Sequence, residues 1–129
     1  MPRLASVYAE MLGEKISTHN TVVYLINTGW SGGPYGVGKR IKIEYSRAMV
    51  TAAINGSLDI VKFSHNDLFN LDVPTECPGV PSEVLEPRNT WVDKDSYDLS
   101  AKKLAQMFVD NFKKFKDASE EIRSAGPKL

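Results

Sequence analysis

The chain has 129 residues, the size of one ordinary domain, and its 16 Lys plus Arg balance 16 Asp plus Glu. A formal charge of zero leaves no net field to hold a polyanion or an anionic membrane, so neither nucleic acid nor a membrane surface is the expected partner. Hydrophobic residues at 42% and charged residues at 25% exclude a disordered chain. The longest purely apolar run, Val22 to Ile26, is five residues long, against about 20 for a membrane span. Met1 to Ser6 holds no apolar stretch of signal-peptide length, and the single Cys77 has no internal disulfide partner. A reducing, cytoplasmic setting is expected.

Leu4, Tyr8, Met11, Leu12 and Ile16 recur at spacings of three and four, which predicts a helix over about residues 5 to 18. Val22 to Ile26 is then a continuous run of β-branched, aromatic and aliphatic residues, the pattern of an inner strand covered on both faces. Five of the nine glycines (Gly29, Gly32, Gly33, Gly36, Gly38) then crowd into the ten residues 29 to 38. There the backbone can adopt positive φ or approach a ligand closely. Arg40 to Glu44 alternates polar and apolar residues, predicting a short strand with Ile41 and Ile43 inward. Ser46 can cap a helix running to about Asn55, which Gly56 stops. Another short strand is expected around Ile60 to Phe63. From Leu68 to Trp91 the chain carries four of its seven prolines, which excludes long regular elements and predicts an ordered wrapping segment. Leu104, Met107, Phe108, Phe112 and Phe115 mark one face of a last long helix, Ser96 to Asp117, with a short helical tail to Ala125.

Gly33 to Lys39 satisfies G-x-x-x-x-G-K, which raises a phosphate-binding P-loop. The pattern fails where Ser or Thr should follow the Lys to reach Mg²⁺, because Arg40 stands there. It also lacks the immediate helix whose amides cradle phosphate, since strand periodicity follows. A glycine-rich hairpin joining two strands is the plainer use of such sequence.

Several motifs carry more. Asn27-Thr28-Gly29-Trp30, the glycine loop, Gly38-Lys39-Arg40-Ile41 and Ser46-Arg47-Ala48 resemble the nucleotide-binding stretch of ATP-dependent phosphoenolpyruvate carboxykinases. The resemblance continues through Asn55-Gly56-Ser57-Leu58, Val73-Pro74-Thr75-Glu76, Leu85-Glu86-Pro87-Arg88-Asn89-Thr90-Trp91 and Phe108-Val109-Asp110-Asn111-Phe112 to the end, in one order over residues 7 to 129. Before residue 7 the match gives out. The resemblance implies an α/β fold of mixed α+β type, with residues 1 to 129 as a C-terminal fragment of that family's ATP-binding domain. It implies conversion of oxaloacetate and ATP to phosphoenolpyruvate, CO₂ and ADP in gluconeogenesis, with Mg²⁺ or Mn²⁺ in the complete enzyme. The family's P-loop, its metal-binding Lys, His and Asp, and its oxaloacetate-gripping arginine lie upstream in the family pattern, so this chain is expected to be inactive alone. The resemblance carries over three binding positions. Arg40 matches an arginine that contacts ATP, Ile41 a backbone that helps hold adenine, and Ser46 a position usually Thr that bonds the base. A planar guanidinium suits both purine faces and phosphate oxygens, and Ser46 keeps the hydroxyl while losing a methyl. The alternative from another class is a non-catalytic truncated module with weak or no nucleotide binding.

Other residues read as structural. His19 on the first helix and His65 in a polar turn lack companions at metal-ligand spacing. Lys39 and Lys42 fit solvated strand-end charges as well as a phosphate contact. Asp67, Asp72, Glu76, Glu83 and Glu86 lie on an irregular segment with no register to make them converge, and are expected to be solvated. Trp30 and Trp91 are expected to be packing anchors, Cys77 no nucleophile, and the Leu104–Phe115 stripe core or interface.

Overall fold

A computed structural model of the protein describes residues 3 to 129. Helix α1 (Ala5–His19) forms where the three-and-four spacing predicts it and ends as Asn20 turns left-handed at φ 48°, its N–H reaching the carbonyls of Ile16 and Ser17. Asn tolerates that conformation better than most residues, which explains the stop. No residue of α1 is buried.

Residues 21 to 28 have no regular structure, which corrects the inner strand expected at Val22 to Ile26. β-Propensity there has no ladder to act through, because a strand exists only where another backbone supplies the opposite donors and acceptors. The glycine loop is a hairpin: β1 (Trp30–Ser31) pairs antiparallel with β2 (Lys39–Arg40), Trp30 opposite Arg40 and Ser31 opposite Lys39. At the turn the amides of Val37 and Gly38 both donate to the Pro34 carbonyl.

The strand expected over Arg40 to Glu44 is cut to Lys39–Arg40, because helix α2 (Ile43–Ile54) begins three residues after it. Ile43 is 69% exposed rather than inward. Lys42 occupies the N-cap position and makes no side-chain cap bond, so Ser46 lies one turn inside the helix and is not its cap. Two apolar residues in alternation suit the start of a helix as well as a strand, and Tyr45, Met49 and Ala52 settle it at helical spacing. The far end is as expected: α2 finishes at Ile54, and Gly56 follows with φ 78°.

Strand β3 (Phe63–Asn66) lies three residues later than the strand expected near Ile60, and pairs antiparallel with β4 (Leu71–Pro74). The proline-rich stretch holds only β4, an isolated Cys77–Val80 bridge and two single turns, α3 (Ser82–Leu85) and α4 (Pro87–Thr90). Helix α5 (Lys94–Phe112) starts at Asp93, whose side chain accepts from the Asp95 and Ser96 amides, and ends five residues before the expected Asp117. There the Arg123 guanidinium gathers the carbonyls of Phe115, Lys116 and Ala118, holding an irregular turn that leads into α6 (Glu120–Ser124). The face α5 buries is Ala101 and Ala105, so of the stripe expected to be core or interface, Leu104 and Phe108 are exposed and not core, as is Met107 beside them.

Six helices and two small antiparallel sheets among the described residues make a mixed α/β class, as expected. The core is small: Ala52, Leu58, Cys77 and Val80, with Tyr24, Tyr45, Met49 and Leu85 packed against it. The accessible surface is 9853 Å², whereas size scaling gives about 6,800 Å² for a self-contained globule of this mass. That is an excess of roughly 3,000 Å², and the exposed large apolar side chains include Leu4, Tyr8, Leu12, Val22, Val23, Leu25, Met107 and Phe108.

Candidate functional site

The glycine hairpin delivers Arg40 and Ile41 to the start of α2. Packing at Gly38 leaves no room for a side chain, because a Cβ there would run into the Gly33 carbonyl oxygen. Because Val37 and Gly38 turn their amides onto Pro34, the loop closes on itself and those two amides do not form a phosphate cradle. Ile41 then donates its N–H to the Gly29 carbonyl at 3.0 Å. That bond leaves its carbonyl and side chain as the groups it can offer a ligand.

The half-buried Ile41 side chain lines a cleft of about 1060 Å³, whose walls also include Tyr24, Trp30, Met49, Val73 and Leu85. The lining is apolar apart from a few groups such as Asn27, Asp59 and Asp72, and contains no Lys or Arg. Such a cleft can take a flat, weakly polar group but not a polyphosphate. Arg40 is exposed on β2 opposite Trp30, and Ser46 is half-buried on α2 with its N–H on the Lys42 carbonyl. Neither lines the cleft; of the three binding positions Ile41 alone does.

Lys42 lies 3.3 Å from Glu44 and 5.3 Å above the Tyr45 ring, a solvated charge as expected, but at the N-cap of α2 rather than at a strand end. The hydrogen bond to Glu44 raises its pKa. Trp91 is an anchor, packed edge-on against Tyr97 with centroids 5.7 Å apart. Trp30 is not: it is 44% exposed, meets Tyr35 edge-on and faces the cleft.

A second, shallower hollow of about 360 Å³ is lined by His65, Asp67, Glu86, Arg88, Tyr97 and Asp98, among others. It corrects two expectations. His65 lies on β3 rather than in a turn, and Asp72 and Asp67 converge on it, at 2.8 Å from Nδ1 and 3.9 Å from Nε2, while both carboxylates stay solvated as expected. The pairing of β3 with β4 sets His65 opposite Asp72, and that register is the signal the irregular sequence concealed. Arg88 forks onto both Asp98 oxygens at 2.9 and 3.0 Å, which holds the Asp98 carboxyl below its ordinary pKa and commits the guanidinium. Glu76 and Glu83 are exposed. Cys77 is buried, and burial pushes its thiol pKa up, away from nucleophilic behaviour. Among the described residues no three His, Cys, Asp or Glu stand together as a metal site, and no helix is long and apolar enough to cross a membrane.

The family model described as phosphoenolpyruvate carboxykinase matches residues 1 to 83. Among individual proteins, the chain is 61% identical over 128 residues to a phosphoenolpyruvate carboxykinase (ATP) from Caldanaerobacter subterraneus subsp. tengcongensis, covering 99% of this chain and 25% of that protein. It is 60% identical over 129 residues to the protein of the same name from Fusobacterium nucleatum, again 99% of this chain and 25% of the relative. With the Geobacillus kaustophilus protein of that name identity is 53%, over 100% of this chain and 24% of the relative. The likeness therefore starts at residue 1, not at residue 7. The chain spans about a quarter of the length of the curated relatives it matches. With the family model covering well over half of its residues, this chain belongs to the phosphoenolpyruvate carboxykinase family.

Proposed function

We propose that these residues are the C-terminal part of the ATP-binding domain of an ATP-dependent phosphoenolpyruvate carboxykinase, a lyase that acts in gluconeogenesis in the cytoplasm. The reaction decarboxylates oxaloacetate, and the enolate oxygen so formed takes the γ-phosphoryl group of ATP, giving phosphoenolpyruvate, CO₂ and ADP. Phosphoryl transfer calls for cations around the β- and γ-phosphates. In this reading those groups, the P-loop and the ligands of Mg²⁺ or Mn²⁺ belong to residues outside this chain.

The observation that carries the reading is the place of Ile41, which follows the glycine hairpin and fronts an apolar cleft free of Lys and Arg. A purine fits that lining and a triphosphate does not. Ile41 offers its carbonyl to the exocyclic amine of adenine, while Ser46 and Arg40, which stand outside the cleft lining, take the roles the family resemblance gives them, a hydroxyl to the edge of the base and a guanidinium to the base face or a phosphate. The chain so placed supplies the adenine side and turns over no substrate by itself.

The test uses a full-length graft, the Caldanaerobacter enzyme with its matching quarter replaced by this chain. Arg40→Ala is expected to raise the KM for ATP about tenfold, the loss of one charge-assisted contact. Ser46→Ala should raise it less, and neither should move the KM for oxaloacetate. Unchanged ATP kinetics in both variants would overturn the assignment. The 129-residue chain alone, given ATP, oxaloacetate and Mg²⁺ or Mn²⁺, should show no activity above a boiled control.

A further inference from the structure

The β1–β2 hairpin is tied to the distant chain at one point. Among the described residues, the hydrogen bond from the Ser31 hydroxyl to the Thr90 hydroxyl oxygen, at 3.0 Å, is the only one between residues 29 to 41 and a segment remote in sequence. Thr90 closes the single turn α4, and its own hydroxyl proton goes to the Pro87 carbonyl at 2.7 Å. A hydroxyl has one proton to give. Thr90 therefore accepts from Ser31 and the direction of the pair is set. The hairpin backbone lies against the same residue: Gly32 has φ 79°, and a Cβ there would come within 3.0 Å of the Thr90 carbonyl oxygen.

Both ends of this tie are stiff. Lys94, at the start of α5, gives its ammonium protons to the carbonyls of Arg88, Asn89 and Trp91 at 2.8, 3.0 and 2.8 Å, while Arg88 forks onto Asp98. All three Lys94 donors are spent on the end of α4, which cannot shift without breaking charge-assisted bonds. On the other side Ser31 stands opposite Lys39 and Trp30 opposite Arg40, and the Ile41 amide is held by the Gly29 carbonyl. Where Ser31 is fixed therefore sets where Arg40 and Ile41 stand. We infer that Thr90 is a positioning residue for the nucleotide, its hydroxyl pinning the glycine hairpin through Ser31 so that Arg40 and Ile41 meet ATP in one geometry. The inference deepens the adenine-side reading given above and rests on it. Thr90 itself touches no nucleotide; preorganising the groups that do is its contribution.

Steady-state kinetics of the full-length graft test this. Thr90→Val keeps nearly the same shape and removes both bonds of the hydroxyl. It is expected to raise the KM for ATP about fivefold, the worth of one neutral hydrogen bond, and to leave the KM for oxaloacetate in place. Thr90→Ser, which keeps the hydroxyl, should restore most of the affinity. Ser31→Ala cuts the tie from the hairpin side and reads the same bond should Thr90→Val misfold. The double variant should be no worse than Thr90→Val alone, because one shared bond is lost only once. A KM for ATP that Arg40→Ala raises but Thr90→Val and Ser31→Ala leave unmoved would overturn the inference and spare the ATP assignment, and fully additive effects of the two would overturn it as well. Hydrogen exchange without nucleotide reads the tie wherever ATP binds: the amides of residues 37 to 41 should exchange about fivefold faster in Thr90→Val than in Thr90→Ser. Equal exchange in the two would overturn the inference. Faster exchange with ATP kinetics unmoved even by Arg40→Ala would instead refute the ATP assignment, and the nucleotide role of Thr90 with it.

Discussion

A Cβ at Gly38 would run into the Gly33 oxygen and meet the Ser31 oxygen at 2.7 Å, both backbone atoms that cannot swing aside. Gly38→Ala must therefore open the β1–β2 hairpin and displace Ile41, whose N–H is tied to Gly29. The expected cost is about 1–3 kcal/mol, seen as a lower urea midpoint of the full-length graft, with a raised KM for ATP. Cys77 makes a prediction of the opposite kind. Buried, with its thiol pKa raised by that burial, it should react slowly with a disulfide reagent in native buffer and quickly in denaturing urea. Rapid native labelling would show that the core around Ala52, Leu58 and Val80 is not closed. The meeting of His65 with Asp72 belongs to this scale too. It was hidden in the sequence because seven positions separate the two, and only the turn between β3 and β4 makes them neighbours.

Among the elements, α5 owes its start to Asp93. That carboxylate accepts from the Ser96 hydroxyl and from the Ser96 and Asp95 amides, and the Ser96 hydroxyl does most to hold its pKa below the ordinary value. Asp98, one turn on, is depressed mainly by Arg88. A depressed carboxyl stabilises fully above its unfolded value, about 3.9, and that stabilisation is lost as pH falls below it through the folded value. The helical signal of α5 should thus be flat from neutrality to about pH 4 and decline below. Asp93→Ala should fray the first turn at neutral pH, whereas Asp93→Asn keeps a cap acceptor and removes this residue's share of the acid loss. Circular dichroism across a pH series checks both. Helices α1 and α5 were legible as elements because their hydrogen bonds close within four residues. The C-terminal end of α5 was not, since Arg123 holds the turn after it.

For the whole molecule, the roughly 3,000 Å² of surplus surface decides behaviour. The 129-residue chain should bind a hydrophobic dye and unfold over a broad temperature range, while the full-length graft shows a sharp transition and binds little dye. A reversible, high-temperature, cooperative transition of the short chain would instead favour a free-standing module. The same surplus accounts for the expected apolar stripes, at Leu4 to Leu12 and Leu104 to Phe108, being present and uncovered.

By itself the sequence determined the family, the helices with strong three-and-four spacing, the stop at Gly56, the hairpin nature of the glycine loop and the lack of long elements among the prolines. Each depends on neighbours in the chain or on several motifs kept in one order. Tertiary structure alone decided that Val22 to Ile26 goes unpaired, that Ser46 lies inside a helix rather than capping it, and that Asp67 and Asp72 gather on His65. Strand pairing and convergence are set by backbone distant in sequence, and a local pattern shows that a segment can be covered without showing what covers it.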